Sequence, residues 1–306
     1  MERRTDRAHT THSRSDDGPE TKGSDHDRYP NRSNPGPRRH GQDRQASRRS
    51  AHRGRTSGAR RVPLGETRFD WDDESTWLPA LDGVDAAYIT YYPDLAFPGA
   101  ADVVGRFADL AVANNVRRLV LLSGRGEEGA RKAEVRVESS GADWTLVRCA
   151  FFNQNFDEAF VDAVRYGMLA VPAGDTAEPF LDADDIADVV FAALTEDGHA
   201  GQLYELTGPR LLTFDEVAAE LSTATGRNVQ YLSVTPAEFA SDLVTAGYPS
   251  EEAVPISELF AEVLDSRNSY LTDGVQRALG RSPRDFADYA RDAAATGVWN
   301  LAVAAS

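Results

Sequence analysis

Residues 148–156 carry the side chains whose chemistry is most telling in this chain. They directly follow residues 143–147, an apolar run that is typical of a buried β-strand. In a doubly wound parallel fold, a dinucleotide lies across the carboxyl ends of the strands. The ring of Phe151 and the amide of Asn153 come just after such a strand, so we expect them to line a nicotinamide crevice.

Other chemistries find weaker support in the residue types. His199 is the only histidine outside residues 1–63 and stands in a glycine-containing surface turn, which argues against a histidine-dependent triad or a metal centre. Cys149 follows a strand and has no histidine beside it in sequence, so we interpret it as a packed thiol. Three aspartates stand at the start of a predicted helix whose apolar residues recur at helical spacing: Asp182, Asp184 and Asp185. Acidic residues are common at helix starts, so these aspartates do not require a bound cation.

Strands and helices alternate upstream of this turn. Residues 84–92 and 117–123 are β-rich apolar runs, and residues 103–112 between them show helical spacing of apolar side chains. A second helix is predicted over residues 127–139, before the strand at 143–147. This alternation predicts an α/β fold with a Rossmann-like, doubly wound parallel sheet and right-handed crossovers. The carboxyl ends of the three strands should then meet at one crevice.

Downstream of residue 156, short strands are mixed with helices. Thr213 followed by Glu216 is the signature of a capping box at a helix start, and further helix starts are predicted at Thr235 and Ser282, each followed by proline. We interpret the chain from about residue 208 as a small, mostly helical C-terminal lid. The other elements predicted here are a helix over 157–166 and strands at 168–171, 202–207 and 229–234.

Composition divides the chain into two parts. Residues 1–63 hold 16 Lys and Arg against 8 Asp and Glu, with only seven apolar side chains, so we expect a disordered basic arm. Its single aromatic residue, Tyr29, does not favour a nucleic-acid partner. Residues 64–306 carry 17 basic against 41 acidic residues, which disfavours nucleic acid or an anionic membrane. With one cysteine and no apolar run near the roughly 20 residues of a membrane span, we predict a cytoplasmic protein.

The residue types of the basic arm are also compatible with translation in a different reading frame. When the last two bases of each codon are read with the first base of the next, residues 34–45 are compatible with Ile-Leu-Val-Leu-Gly-Gly-Thr-Gly-Lys-Thr-Gly. Such a string is a buried strand followed by a glycine turn, which lets the backbone approach a pyrophosphate at a helix N-terminus. We therefore hypothesise a frame change near Glu66, so that the chain as written lacks this N-terminal strand and glycine turn.

Five segments, taken in order, resemble the NmrA-like family of atypical short-chain dehydrogenase/reductase relatives. The resemblance covers about residues 66–300, and it implies a Rossmann fold that binds NADP or NAD. Family members include quinone and azo reductases, and also regulators that bind a dinucleotide without turnover. The segments are 68–71 and 81–85, which fit the third and fourth strands, 208–218, 224–231, and 272–286.

The resemblance implies roles for four residues of the cofactor site. Asp70 and Trp71 correspond to positions that contact the adenine, although Asp70 could instead cap a turn while Trp71 packs. Tyr91 and Pro93 follow the family's fourth strand, where they would flank the ribose and nicotinamide. The alternative for Tyr91 is an ordinary half-buried strand residue.

The resemblance also implies two catalytic residues, Ser123 and Lys132. Ser123 and Gly124 end a strand in the place of the dehydrogenase serine, where a hydroxyl can donate a hydrogen bond to a substrate carbonyl; a plain turn is the alternative. Lys132 resembles a lysine of the isoflavone-reductase branch that serves near the nicotinamide; the alternative is a solvated helix residue. No Tyr-x-x-x-Lys pair occurs in the chain, so the usual tyrosine acid is absent.

These observations predict an NAD(P)H-dependent oxidoreductase that reduces a small organic acceptor of quinone-like, azo or imine type. The expected cofactor is NADP or NAD, and its binding is expected to be weakened in this chain because the glycine turn is missing. A non-catalytic regulatory protein that senses the dinucleotide is the alternative from a different class.

Overall fold

Four parallel strands form the central sheet of the computed structural model, which describes residues 67–92 and 94–301. The sheet has the spatial order β1-β2-β3-β6, and all three of its strand pairs are parallel. The predictions for residues 1–63 and for Pro93 lie outside the described residues. The strands are β1 (Ala86–Ile89), β2 (Arg118–Gly124), β3 (Asp143–Cys149) and β6 (Gln202–Leu206).

Helices cover both faces of this sheet. Because successive side chains of a strand point to opposite faces, Leu119 and Leu121 of β2 join one apolar core while Val120 joins another. The doubly wound parallel sheet predicted from the sequence is confirmed. The first core includes α1 (Trp77–Leu81), α2 (Ala100–Ala113) and α3 (Glu128–Glu138); the second includes α5 (Ala183–Thr195) and α9 (Gly274–Leu279).

A third apolar core lies in the remaining part of the described chain. Phe156 and Phe180 pack there with Phe214 and Phe286, so this core also uses residues well upstream of position 208. No helix among the described residues is long and apolar enough to cross a membrane. The elements around this core are α4 (Val161–Tyr166), β4 (Met168–Val171), β5 (Ala177–Glu178), β7 (Leu212–Thr213), α6 (Phe214–Thr225), β8 (Gln230–Ser233), α7 (Pro236–Thr245), α8 (Ser250–Val263) and α10 (Phe286–Ala295).

The helix starts were predicted with mixed success. The capping box of Thr213 and Glu216 is present at the start of α6, as predicted. The helix start at Ser282 is wrong, because α10 begins at Phe286 and its cap is Asp285, whose carboxylate accepts from the backbone N–H of Ala287 at 2.8 Å. Similarly, α4 begins at Val161 rather than at residue 157, because a 3-10 turn over Asn153–Phe156 and a further turn over residues 157–160 precede it.

The predicted strand over residues 68–71 is absent. A strand there needs a hydrogen-bonding neighbour, and within the described sheet β1 pairs only with β2. Instead, Phe69 and Trp71 pack against Trp77 and Phe107 at ring-centroid distances of 4.8–6.5 Å within this aromatic group. The outer edge of β1 therefore has no strand beside it in the part of the chain that the structure describes.

His199 is buried rather than on the surface, which corrects the sequence interpretation. Its Nδ1 lies 2.9 Å from the hydroxyl of Tyr204, and its carbonyl accepts a hydrogen bond from Thr145 at 2.7 Å. The turn folds back against β3 because Gly201 donates its N–H to Trp144. The histidine thus belongs to the packing at the amino ends of β3 and β6, the opposite ends of these strands from those that form the crevice.

Candidate active site

The carboxyl ends of three adjacent strands lie side by side. Gly124, the last residue of β2, stands opposite Cys149 of β3, which in turn stands opposite Leu206 of β6. The chain continues this row beyond the strands, because Arg125 donates its N–H to Cys149 and Ala150 donates its N–H to Leu206, both at 3.1 Å. The predicted convergence is therefore present for the ends of β2 and β3, and β6 joins them. The third strand of the prediction, β1, pairs with β2 only as far as Leu121.

A fully buried carboxylate, Glu134 of α3, organises the polar groups beneath this edge. It accepts a hydrogen bond from the hydroxyl of Ser123 at 2.7 Å. The guanidinium of Arg148 donates twice to the same carboxylate, at 2.9 and 2.6 Å, and Arg131 forms a further ion pair with it. Burial raises the pKa of Glu134, but the hydrogen bonds from Arg148 and Ser123 outweigh that effect and the pKa is lowered. Glu134 is therefore an ionised anchor.

Ser123, the predicted substrate donor, is thus committed to a side-chain partner. Its hydroxyl proton points to Glu134, and only 4% of the residue is exposed. A serine hydroxyl has one proton to donate, so Ser123 could still accept a hydrogen bond but has no second proton for a carbonyl. Its catalytic role remains a prediction.

A second buried arginine ties the crevice to the segment around residue 270. The side chain of Arg125 is only 1% exposed; it donates to Glu205 at 2.9 Å and to the carbonyls of Asn268 and Tyr270 at 3.2 Å each. Its guanidinium also lies over the ring of Tyr270, 4.3 Å from the centroid. Glu205 links the two arginines, because its other carboxylate oxygen lies 3.4 Å from Arg148.

Glu127 lies directly over the end of β2. A Cβ atom placed on Gly124 would fall 2.1–2.2 Å from the carboxyl atoms of Glu127, so only glycine leaves room for this carboxyl group. No hydrogen bond or ion pair to its side chain is present among the described residues. Burial is the largest of the effects that raise the pKa of Glu127 to about 8, and the charges of Asp94 and Glu262 add to it.

Phe151 and Asn153, the predicted crevice residues that follow β3, differ in their surroundings. Phe151 packs edge-on against Phe180 and Phe214, at centroid distances of 5.6 and 5.9 Å. Asn153 is fully buried, and neither atom of its amide has a hydrogen-bond partner in the described chain. An unsatisfied buried amide is costly, so Asn153 is a position where a ligand would complete the hydrogen bonding.

The residues predicted around the adenine and ribose form a turn and an aromatic group. Asp70 accepts from the backbone N–H of Asp72 at 3.0 Å, and this hydrogen bond, followed by the one from Arg68, lowers its pKa. Trp71 donates its indole N–H to the carbonyl of Thr90 at 3.0 Å, and its ring lies 5.3 Å from that of Tyr91. The structure thus brings Trp71 and Tyr91 together beside β1, while contact with a cofactor remains a prediction.

Lys132 and Glu134, the residue of α3 that binds Ser123, lie on different sides of the helix. Residues two apart on a helix are separated by about 200°, so Lys132 points away from the face on which Glu134 meets Ser123. It lines a groove of about 450 Å³ between α3 and the segment that leads from β1 into α2, together with Arg136 and residues 96–99. The structure therefore does not bring the two predicted catalytic residues together.

The ionised network around Glu134 was not predicted from the sequence, although one signal for it was present. Ala130, Ala133, Glu134 and Val137 are the buried residues of α3, and they recur at the spacing of one helical face. A glutamate within an apolar stripe predicts a buried carboxylate that needs a cationic partner. Its partner, Arg148, was visible in the sequence as the polar residue that interrupts an otherwise buried strand.

The parallel sheet, the helices on both faces and the crevice at the strand ends define a Rossmann-like α/β protein. A model described as the NmrA-like family matches residues 130–290, more than half of the chain. The NAD(P)H azoreductase of Xenophilus azovorans is 32% identical over 238 residues, which cover 74% of this chain and 81% of that protein. The chain belongs to the NmrA-like family.

Two further comparisons agree with this assignment. An agroclavine dehydrogenase of Claviceps fusiformis is 31% identical over 236 residues, covering 73% of this chain and 82% of that protein. Among solved structures, an NADPH-dependent quinone oxidoreductase of Escherichia coli complexed with NADPH is similar with a TM-score of 0.64 at 22% identity, covering 74% of this chain and 82% of that one. The likeness to the solved structure concerns the fold.

Proposed function

We propose that this protein is a cytoplasmic NAD(P)H-dependent oxidoreductase that reduces a small organic acceptor of quinone-like, azo or imine type. The observation that carries the proposal is the row of parallel strand ends at Gly124, Cys149 and Leu206, with the uncommitted Glu127 carboxyl above it. In open α/β sheets, ligands bind in the crevice outside these ends. Membership of a family whose relatives include an azoreductase and a dehydrogenase supports a reductive reaction.

The residues at the nicotinamide end of this crevice fit NADP or NAD. The amide of Asn153 is buried and without partners, and a nicotinamide carries a carboxamide with complementary donors and an acceptor. When bound, the reduced dinucleotide supplies a hydride to the acceptor. At the pyrophosphate end, the described residues provide no strand and glycine turn beside β1. We therefore expect weak cofactor binding by the chain as written.

The remaining site residues take the roles that the family resemblance implies. Asp70 and Trp71 would contact the adenine, and Tyr91 with Pro93 would flank the ribose and nicotinamide. At the crevice, Gly124 would contact the cofactor, and Phe151 would close one side. Ser123 and Lys132 would act on the substrate and the ribose hydroxyls.

Bleaching of an azo dye by millimolar NADPH tests the proposed function. Visible absorbance of the dye is followed, because NADPH at this concentration obscures its own ultraviolet signal. We expect dye reduction that depends on both protein and NADPH, and parallel reduction of a quinone such as menadione. A protein that binds NADPH in calorimetry yet reduces neither acceptor would instead support the dinucleotide-sensing alternative.

Lys132→Ala tests the predicted role of the lysine. If the ammonium group serves near the nicotinamide, the variant should lose at least tenfold in hydride transfer or cofactor affinity, which corresponds to about 1.4 kcal/mol. Arg136→Ala is a matched control, because Arg136 lines the same groove one helical turn later. Unchanged kinetics in Lys132→Ala would assign the side chain to solvent.

A further inference from the structure

Reduction of a neutral double bond needs a proton as well as a hydride, and this chain lacks the tyrosine that supplies it in related dehydrogenases. Ser123 does not fill the gap, because its proton is held by the ionised carboxylate of Glu134. Lys132 lines a separate groove beside α3, so a protonated side chain at the strand ends is the better placed proton source. The inference below rests on the proposed function and names that group.

Glu127 has the geometry of a proton donor. It is the cap residue before α3, three positions after the last residue of β2, and its carboxyl folds back over Gly124. That glycine lies in the row of strand ends where a ligand binds in this fold. A Cβ atom at position 124 would displace the carboxyl group from this place, so the glycine permits the contact.

The groups around Glu127 are mostly acidic. Asp94 approaches from the segment after β1, Glu262 from α8 and Glu134 from α3. The nearby cations are engaged elsewhere: Arg131 pairs with Glu134, and Arg267 pairs with Glu262 and donates to the carbonyl of Gly126. Burial and this acidic surrounding keep the carboxyl of Glu127 protonated at neutral pH, since its pKa is raised to about 8.

We propose that Glu127 is the general acid of the reaction and donates its proton to the substrate over the end of β2. The π bond of an N=N or C=O group breaks as one of its atoms receives the hydride from the reduced dinucleotide. The other atom receives the π electron pair and takes the proton of Glu127. The resulting carboxylate of Glu127 is reprotonated by water, so one hydride and one proton are consumed for each two-electron reduction.

Two probes separate proton donation from a structural role. Reduction of the azo dye methyl red needs both a hydride and a proton, whereas the permanently cationic N-methyl-3,4-dihydroisoquinolinium needs only a hydride. For Glu127→Gln at neutral pH and millimolar NADPH, we expect kcat with methyl red to fall by about a hundredfold. The kcat for reduction of the iminium probe should change by less than about threefold, because this probe is already positively charged and needs no proton.

The matched control is Glu128→Gln, which changes the adjacent, exposed glutamate in the same way. It should leave both reactions unchanged. Equal losses with both probes in Glu127→Gln would overturn the assignment, because they indicate a structural defect. Unchanged reduction of methyl red would overturn it as well. If the wild-type protein reduces neither probe, the proposed function fails, and the catalytic role of Glu127 fails with it.

The protonation state of Glu127 can be read without turnover. Infrared difference spectra between neutral and alkaline pH should contain the band of a protonated carboxyl group in the wild-type protein. This band should be smaller in Glu127→Gln, where Glu178, whose pKa burial raises to about 7, still contributes, and a band of equal size in both proteins would contradict the inference. In Glu128→Gln the band should remain. Absence of this band from the wild-type protein at neutral pH would overturn the inference even if the enzyme reduces both probes.

Protein stability gives an independent check of the same proton. The unfolded chain releases the proton of Glu127 near pH 4.5, whereas the folded protein holds it up to about pH 8. The protonated carboxyl of Glu127 therefore contributes fully to the free energy of unfolding below about pH 4.5, and this contribution is lost as pH rises towards about 8. We expect the Tm of the wild-type protein to fall more steeply across this window than that of Glu127→Gln. Identical slopes would contradict the raised pKa.

Discussion

Replacing Glu134 with alanine is expected to lower the free energy of unfolding by about 3–5 kcal/mol. The substitution leaves the guanidinium of Arg148, whose side chain is 14% exposed, without the carboxylate that receives two of its hydrogen bonds. It also leaves the buried hydroxyl of Ser123 without its acceptor. The loss is large because a largely buried guanidinium keeps only its longer 3.4 Å contact with Glu205, not because the ion pair itself is strongly stabilising.

Urea denaturation of Glu134→Ala and Glu128→Ala measures this difference. Both substitutions truncate a glutamate of the same helix, but Glu128 is exposed and should cost no more than about 0.5 kcal/mol. A double variant, Glu134→Leu with Arg148→Met, should recover much of the loss because both members of the buried pair are removed together. Equal stability of Glu134→Ala and Glu128→Ala would contradict the network described at the strand ends.

Re-reading residues 34–65 in the other frame is expected to tighten NADPH binding by about a thousandfold. The re-read segment would add a strand beside β1 and a glycine turn whose backbone N–H groups can donate to the pyrophosphate. Two or three charge-assisted hydrogen bonds, at roughly 1.5–3 kcal/mol each, are sufficient for this change, since each 1.4 kcal/mol is tenfold in affinity. The chain as written should bind in the millimolar range, and the re-read chain in the micromolar range.

Calorimetric titration of both chains with NADPH tests this expectation. The matched control is the re-read chain with the middle glycine of its turn replaced by valine, which keeps the added strand but blocks the approach of the pyrophosphate. That control should bind as weakly as the chain as written. Low-micromolar binding by the chain as written would contradict the frame hypothesis and the explanation of residues 1–63.

The secondary structure that depends on local patterns could be predicted from the sequence. Apolar runs located β2 and β3 to within two residues, and the capping box of Thr213 located the start of α6. The short ladder of β5 with β7 was missed because two-residue strands have no detectable period. The strand predicted at residues 68–71 is absent for a different reason. A strand forms only when a neighbouring strand is present to pair with it, and the local sequence does not report that neighbour.

The candidate site was less predictable because it depends on long-range contacts. Strand ends indicated where Ser123, Gly124 and Asn153 lie, but not which partners they meet. The bonds between Arg125 and the segment at Asn268 and Tyr270 join residues more than 140 positions apart. The raised pKa of Glu127 follows from burial and from the charges of Asp94, Glu262 and Glu134, and the first two of these lie on segments that are distant from it in sequence.

Transfer of deuterium tests the central claim, reduction of an acceptor by hydride from the dinucleotide, most directly. The protein is incubated with NADPH that is stereospecifically deuterated at C4 and with N-methyl-3,4-dihydroisoquinolinium, and the isolated amine is analysed by mass spectrometry. We predict a product with one deuterium at the former iminium carbon, obtained from one of the two C4 epimers only. Reduced product without deuterium from either epimer, or a dinucleotide complex that forms no product, would contradict the account.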